Sequence, residues 1–251
     1  MSKRASAPRA VLEASRAPFP YRDYVHAQQA LLAALKGPPF YALLLGASGM
    51  GKSALLRGVV EGMDRHHHQA IYLSSTRASM SNIVRFLARV LRVPSRRSSL
   101  ETVDELAKAI RAQPAKPVVL VDEADRLAPE TLQEFRVIAE CELQEEPLFS
   151  VVLSGLPSLG DLIESPVAFP LKRRLSLRCS LAGLLRDELG PFLEHRFGPD
   201  ARRVPPSTLD ELFERTQAAP GLLDAVVRRA LLSPGRLEPD AVHAVLDQSG
   251  L

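Results

Sequence analysis

The chain has 251 residues, a length that can bury a sizeable core and suggests one large domain with a smaller one. Apolar residues make up 46% and charged residues 24%, a composition that argues against a disordered or low-complexity chain. The net charge of +3 is too small to establish or exclude a polyanionic partner by itself.

No apolar run approaches the roughly 20 residues that a membrane-spanning helix needs. The basic N-terminus lacks the apolar core of a secretory signal. We therefore expect a cytoplasmic protein with no membrane partner. We expect its two cysteines, Cys141 and Cys179, to be buried reduced thiols, with a lone disulfide as the alternative.

The first part of the chain, residues 1–20, carries four basic residues against a single acid, Glu13. We predict a loosely ordered basic arm there. Apolar residues at helical spacing then predict a helix over residues 23–36.

A glycine-rich segment follows the first predicted strand, residues 41–46, and comes before a helix predicted near 52–63. It matches the phosphate-binding pattern G-x-x-x-x-G-K-[ST] at every required position. The alternative interpretation of this segment is a flexible surface turn. Backbone N–H groups and the helix N-terminus of such a loop point at a phosphate. We predict that Lys52 reaches the β- and γ-phosphates of a nucleoside triphosphate and that Ser53 ligates Mg²⁺. The predicted nucleotide-binding residues are Gly46, Ala47, Ser48, Gly49, Met50, Gly51, Lys52, Ser53 and Ala54.

Three adjacent histidines, residues 66–68, come before the second predicted strand, near 70–74. Three consecutive residues do not easily share one tetrahedral metal, so we expect a solvated loop there.

Six arginines and no acidic residue lie between residues 77 and 97. Arg85, Arg89 and Arg92 have helical spacing and are predicted to form one stripe on a helix near 80–92, away from its apolar face. A basic stripe is the footprint expected for contact with the DNA backbone, independent of sequence and weakened by salt. The alternative is a solvated face that pairs with Glu101 and Asp104. The candidate DNA-binding residues are Arg77, Arg85, Arg89, Arg92, Arg96 and Arg97.

An apolar strand predicted near 117–122 ends in two adjacent carboxylates, Asp122 and Glu123. Such strands are typical of parallel sheets covered on both faces, where ligands gather at the carboxyl ends. We expect Asp122 to bind the Mg²⁺ shell and Glu123 to deprotonate the attacking water, with a cap or salt bridge as the alternative for Glu123. Asp125 completes the letters D-E-A-D, but a helicase needs a second nucleotide-clamping domain that the remaining residues do not supply.

The rest of the chain changes from mixed to helical character. Helices are predicted near 101–112 and 129–142, and strands near 148–154 and 175–179. Strands alternating with helices indicate a parallel sheet with right-handed crossovers. From about residue 181 only helices are predicted, over 183–197, 206–217, 221–232 and 238–248. Pro191 predicts a break or late start in the first of these, and Ser207 is the expected cap of the second.

Taken in order, these motifs over residues 17–235 resemble the AAA+ ATPases, in the branch that contains ExeA and the transposition regulators MuB, TnsC and TniB. Besides the two nucleotide motifs, the resemblance rests on the segments 17–20, 121–127, 151–159, 171–175 and 184–196. It implies the fold class of an α/β P-loop NTPase (AAA+): a parallel sheet flanked by helices over 21–180, followed by a small all-helical lid over 181–251. It also implies a slow, assembly-dependent ATPase that uses Mg²⁺.

The resemblance also assigns roles to single residues. Ser154 takes the sensor position that helps to hold the water or the γ-phosphate. Arg173 or Arg174 is the arginine finger that reaches a neighbouring subunit's site, with a solvated charge cluster as the alternative.

One position departs from the family. Three residues after Gly221 the lid helix should carry an arginine for the γ-phosphate, and here it carries Asp224. Arg228 and Arg229 could substitute only if the helix is shifted. The departure puts nucleotide sensing by the lid in doubt and favours weak or regulated hydrolysis.

The resemblance to the transposition regulators implies ATP-dependent assembly on duplex DNA, which recruits a transposase to a target. We expect a homo-oligomer, either ring or helical filament, in which modest DNA contacts add up. A target-selection protein is a further expected partner. The alternatives are an ExeA-like ATPase that supports a secretion or membrane assembly, and a nucleotide-dependent signalling switch, which Asp224 favours and Glu123 disfavours.

Overall fold

Parallel strands form the centre of the fold in the computed structural model, which describes residues 17–74, 79–132, 134, 147–199, 201, 204–232 and 239–250. The strands are β1 (Tyr41–Gly46), β2 (His68–Ser74), β3 (Lys116–Asp122), β4 (Ser150–Gly155) and β5 (Leu175–Leu181). They lie in the order β2-β3-β4-β1-β5, and each pairing is parallel. The predicted α/β fold class with a parallel sheet is therefore confirmed.

Helices connect the strands and make up the C-terminal part. They are α1 (Arg22–Ala34), α2 (Lys52–Gly62), α3 (Met80–Val90), α4 (Ser99–Ala112), α5 (Pro157–Glu164), α6 (Phe169–Lys172), α7 (Leu189–Phe197), α8 (Pro206–Arg215), α9 (Pro220–Leu232) and α10 (Pro239–Gln248). Residues 129–132 are also helical. Most of the helix predicted over 129–142 lies outside the described residues. Within the described part of the chain, no helix has the length and apolar character to cross a bilayer.

The chain divides into two compact units. The sheet unit comprises His26–Ala47 and Lys52–Leu181, and the helical unit comprises Met1–Val25, Ser48–Gly51 and Ala182–Leu251, as far as these residues are described. Four residues of the phosphate-binding pattern, Ser48–Gly51, therefore cluster with the helical unit.

The core of the sheet unit forms where alternate strand residues meet the apolar faces of helices. Val119 and Val121 of β3 and Leu153 of β4 are at most 1% exposed and belong to one cluster with residues of α3, α4 and α5. On α3 the apolar positions Ile83 and Leu87 recur at helical spacing and are buried, which leaves its arginines outside. Burial of each such side chain stabilises the fold by about 1.5–3 kcal/mol.

The helical unit begins with residues 17–20, which sequence analysis assigned to a loose arm. The structure corrects this for Ala17 and Phe19, which contact α7. Phe19 lies edge-on to Phe192, with ring centroids 5.7 Å apart, and His195 Nε2 lies 3.1 Å from the carbonyl oxygen of Ala17. The remaining residues of the predicted arm, 1–16, lie outside the described part.

Proline sets the start of two helices in the helical unit. Helix α7 begins at Leu189 after a 3₁₀ turn, Arg186–Glu188, so the late start predicted from Pro191 is confirmed. Pro191 falls in the first turn, where a backbone N–H has no intrahelical partner to lose. The prediction that Ser207 caps α8 is wrong: the helix begins at Pro206, whose fixed φ suits the first helical position.

The prediction of a solvated loop over all three adjacent histidines, residues 66–68, is wrong for one of them. His68 is the first residue of β2, paired with Lys116, rather than part of a loop. His67 lies in a turn that Asp64 closes, with 2.8 Å between Nδ1 and the carboxylate. Among the described residues no cluster of histidine, cysteine and acidic side chains could hold a metal ion.

Candidate nucleotide-binding site

The phosphate-binding loop follows β1 and depends on two glycines. Gly49 has a φ of 80° and Gly51 a φ of 89°, a left-handed conformation that side chains with a Cβ rarely adopt. Within the helical unit, the carbonyl of Gly49 accepts a hydrogen bond of 2.8 Å from the N–H of Gly221, and that of Met50 accepts one of 2.6 Å from the buried hydroxyl of Tyr21. The loop backbone is thus fixed by contacts that sequence analysis did not foresee.

Lys52 places its ammonium group at this loop. Its Nζ donates hydrogen bonds to the carbonyl oxygens of Gly46, at 2.7 Å, and Ala47, at 2.9 Å. Burial lowers the pKa of Lys52, although the nearby carboxylates of Asp122, Asp125 and Glu123 oppose this effect. Within the sheet unit, Lys52 therefore places a positive charge beside the residues that directly follow β1.

Asp122, the last residue of β3, is the centre of a hydrogen-bond network. Its Oδ2 accepts hydrogen bonds from the hydroxyls of Ser53, at 2.5 Å, and Tyr72, at 2.7 Å. Its Oδ1 accepts from the hydroxyl of Ser154, at 3.1 Å, and from the N–H of Glu123, at 3.0 Å. Burial alone would raise the pKa of Asp122, but these four hydrogen bonds outweigh burial and hold it below its ordinary value. Asp122 is therefore an ionised, fixed carboxylate.

This geometry fits a magnesium ion beside Ser53. Because the hydroxyl proton of Ser53 is directed at Asp122, the lone pairs of Oγ are available to a cation. Mg²⁺ prefers hard oxygen ligands, retains several waters and is bound by few protein groups besides phosphate oxygens. Ser53 would hold the ion directly, and Asp122 would hold its water shell.

Glu123, the predicted base, follows the strand in an unusual conformation. Its φ of 52° and ψ of 39° are left-handed, which is uncommon for glutamate and is often found at functional sites. Its half-exposed carboxylate forms an ion pair with Arg126, 3.0 Å away. The salt bridge that was the alternative role for Glu123 is thus present, and Glu123 directly follows Asp122, the candidate magnesium ligand.

Two residues at the site had no predicted role. Asp125 accepts a hydrogen bond of 3.0 Å from the N–H of Leu156, and so connects the segment after β3 to the end of β4. Tyr72 reaches Asp122 from β2. A tyrosine two residues before a strand end is only a weak signal in a sequence.

The sensor and finger candidates lie in different settings. Ser154 is fully buried and donates a hydrogen bond to Asp122, so it helps to fix that carboxylate. Arg173 and Arg174 are exposed and lie between α6 and β5. The apolar side chains of Val167 and Phe169, about half exposed, come shortly before them.

The predicted arginine stripe is shorter than expected. Arg85 and Arg89 are exposed on α3, but the helix ends at Val90, and Arg92 adopts a left-handed φ of 56°. The N–H of Val93 bonds to the carbonyl of Ala88, an arrangement that ends helices and usually places glycine where Arg92 stands. Arg96 and Arg97 are exposed in the following loop, and Arg77 lies outside the described residues.

The alternative role for the stripe, pairing with Glu101 and Asp104, is not realised. Within the described residues, no ion pair joins Arg85, Arg89 or Arg92 to a carboxylate. The guanidinium of Arg89 instead lies over the ring of Phe86, 5.3 Å from its centroid. This face therefore presents positive charge to solvent.

Asp224, the departure from the family, is held by two arginines of the helical unit. Its carboxylate lies 2.8 Å from Arg196 and 2.7 Å from Arg228. The guanidinium of Arg228 also lies over the ring of Phe197, and Arg229 contacts Gln248. Arg228 and Arg229, which were considered as substitutes for the missing γ-phosphate arginine, thus both contact other residues of the helical unit.

Comparisons with known proteins agree with this geometry. The family model for the AAA domain matches residues 41–163. General secretion pathway protein A of Aeromonas hydrophila is 26% identical over 161 residues, which cover 62% of this chain. The match spans only 29% of that protein's own length.

Solved structures extend the likeness over nearly the whole chain. The Aeropyrum pernix ORC2 protein superposes with a TM-score of 0.67 at 15% identity, over 96% of this chain and 71% of that one. The Aeropyrum pernix ORC1 protein in complex with DNA gives 0.64 at 20% identity, over 95% and 68%. Drosophila ORC bound to DNA gives 0.67 at 14% identity, over 97% and 64%. The chain therefore has the fold of the AAA+ P-loop ATPases, and its residues 41–163 match the AAA domain family.

Proposed function

We propose that this protein is an ATPase that binds duplex DNA, assembles with further copies of itself in an ATP-dependent manner and regulates DNA transposition by selecting targets and recruiting a transposase. The observation that carries the ATPase part of the proposal is the hydrogen bond between Ser53 and Asp122, which brings together residues of the two predicted nucleotide motifs. Both motifs stand at carboxyl ends of parallel strands, where such folds bind ligands.

The chemistry assigned to the chain follows from the positions of its residues. The loop N–H groups and Lys52 would hold the phosphates. Ser53 and Asp122 would hold Mg²⁺, which would neutralise part of the phosphate charge. Glu123 would break its ion pair with Arg126. Its carboxylate would then orient and deprotonate the attacking water. Arg173 or Arg174 of a neighbouring copy would stabilise the charge of the transition state, a contribution of about 10³–10⁵ in rate.

The proposed DNA contacts rest on exposed positive charge. Arg85 and Arg89 share an exposed face of α3, and Arg92, Arg96 and Arg97 follow it within eight residues without an acid. Exposed charges of one sign on one face attract phosphates, and each contact releases counterions. The solved DNA complexes of ORC proteins with this fold are consistent with such a role, and the transposase and the target-selection protein stay predictions from the resemblance.

A second candidate is an ATPase of a secretion or membrane assembly. The match to General secretion pathway protein A favours it, since it covers 62% of this chain. The exposed arginines distinguish the two hypotheses, because a secretion ATPase has no need of duplex DNA.

Fluorescence anisotropy with a labelled duplex tests the proposal. We expect binding to be tighter with a non-hydrolysable ATP analogue than with ADP. The double variant Arg85→Glu and Arg89→Glu should weaken binding more than tenfold and lower the slope of log affinity against log salt by about 2. The control with the same change in charge is Lys36→Glu with Arg65→Glu, both at exposed positions, and should change affinity about twofold or less. Equal losses in both double variants would remove α3 as the DNA surface, and no binding by the wild type would favour the secretion hypothesis.

A further inference from the structure

Tyr72 supplies a hydroxyl to the metal-site carboxylate from a strand that carries no nucleotide motif. In the register of β2 and β3, Tyr72 lies opposite Leu120, two residues before Asp122. Because alternate residues of a strand share a face, Tyr72 and Asp122 stand on the same side of the sheet. This explains how the phenol reaches Oδ2 of Asp122 at 2.7 Å, on the same oxygen that accepts from Ser53.

The ring of Tyr72 contributes little to the core. Its side chain is 43% exposed, whereas its neighbour Ile71 is 2% exposed and packs in the main cluster of the sheet unit. Removing the phenol oxygen therefore leaves the packed core intact. The described partners of this oxygen are Asp122, to which it donates, and Ser53.

The hydroxyl of Tyr72 has hydrogen-bonding capacity beyond its bond to Asp122. A tyrosine hydroxyl has one proton and two lone pairs, and the proton of Tyr72 is donated to Asp122. Ser53 is a further partner of the oxygen, which leaves one lone pair to accept from a water of a cation that Ser53 and Asp122 would hold. A water bound to Mg²⁺ is a strong donor, and Mg²⁺ in nucleotide sites retains several such waters.

We propose that Tyr72 is a positioning residue for the magnesium ion of the bound nucleotide, which fixes Asp122 by donation and accepts a hydrogen bond from a water of the ion. This inference rests on the proposed nucleotide site and adds a residue of β2 to it. Groups that orient metal-binding carboxylates change metal affinity by about 10- to 100-fold when they are removed.

The test measures metal binding without turnover. Mn²⁺ replaces Mg²⁺, and the electron paramagnetic resonance signal of free Mn²⁺ is recorded. The signal falls as ions bind, so its loss measures the Mn²⁺ bound to the complex of the protein with a non-hydrolysable ATP analogue. Tyr72→Phe keeps the ring, and Tyr72→Leu removes it. A fluorescent nucleotide in the presence of EDTA measures nucleotide affinity without metal, and thermal unfolding checks the fold of each variant.

We expect both variants to weaken Mn²⁺ binding by about tenfold while metal-free nucleotide affinity stays within about twofold of the wild type. Mn²⁺ affinity within about twofold of the wild type in Tyr72→Phe would overturn the inference, and so would a loss confined to Tyr72→Leu, which would assign the effect to the ring. If the wild type bound no nucleotide under either condition, the proposed nucleotide site itself would fail. The two failures are therefore distinguishable.

Discussion

The carboxylate of Asp125 and the backbone of Gly155 pack together so closely that a side chain at residue 155 has no room. A Cβ on Gly155 would lie 2.7 Å from Oδ1 of Asp125 and 2.8 Å from the side chain of Leu159. Oδ1 of Asp125 is also the acceptor for the N–H of Leu156, so the contact holds the end of β4 beside the segment that follows Asp122.

Gly155→Ala should therefore destabilise the protein. Overpacking of this kind costs about 1–3 kcal/mol, because neighbouring groups must move. Thermal or urea unfolding measures the loss. Gly190→Ala is the matched control: its added Cβ meets no atom within 4 Å, it lies in helix α7, and we expect stability to be unchanged or raised by up to about 1 kcal/mol. Equal stability of the two variants would refute the close contact.

Lys52→Ala should abolish nucleotide binding. The change removes the ammonium group at the loop and with it a charge-assisted donor to the phosphates. Equilibrium titration with a fluorescent ATP analogue should show affinity reduced by more than about 100-fold, the result of losing roughly 3 kcal/mol. Lys108→Ala, at an exposed position on α4, should bind as the wild type does. Tight ATP binding by the Lys52 variant would contradict the assignment of the loop.

Glu123→Gln should separate binding from hydrolysis. Glutamine keeps the shape of the side chain but cannot take a proton, so single-turnover hydrolysis should slow by about 10²–10⁴ while ATP still binds. ATP-bound assemblies should then accumulate. Glu130→Gln, a nearby exposed position, serves as the control. A Glu123 variant with normal turnover would exclude this residue as the base and leave it only its ion pair with Arg126.

Asp224→Ala should destabilise the helical unit through its arginine partners. Removing the carboxylate leaves Arg196 and Arg228, both partly buried, without their shared acceptor, at a cost of about 1–3 kcal/mol. Asp210→Ala removes an exposed partner of Arg186 and should cost less than about 1 kcal/mol. Urea unfolding compares the two. If Asp224→Ala were as stable as the wild type, the ion pairs would contribute nothing to stability.

The sequence was most informative where the chemistry is local. Ser53 lies in the first turn of the helix after the glycine-rich segment and Asp122 ends an apolar strand, so their proximity follows from the motif and from the geometry of parallel strands. The late start of α7 likewise follows from the position of one proline.

Features that depend on distant partners could not be predicted in this way. Tyr72 reaches Asp122 through the register of two strands, and Asp224 pairs with Arg196, 28 residues earlier in the chain. The stripe ended early because Arg92 adopts a conformation that glycine usually occupies, so residue type gave the wrong signal there.

Assembly on DNA is the most direct test of the whole account. Analytical ultracentrifugation of the wild type with Mg²⁺ and a labelled duplex should show large protein–DNA species with a non-hydrolysable ATP analogue and mainly small species with ADP. Arg173→Ala combined with Arg174→Ala should reduce the large species. A protein that sediments as a monomer in every nucleotide state, with the duplex free in solution, would contradict the account.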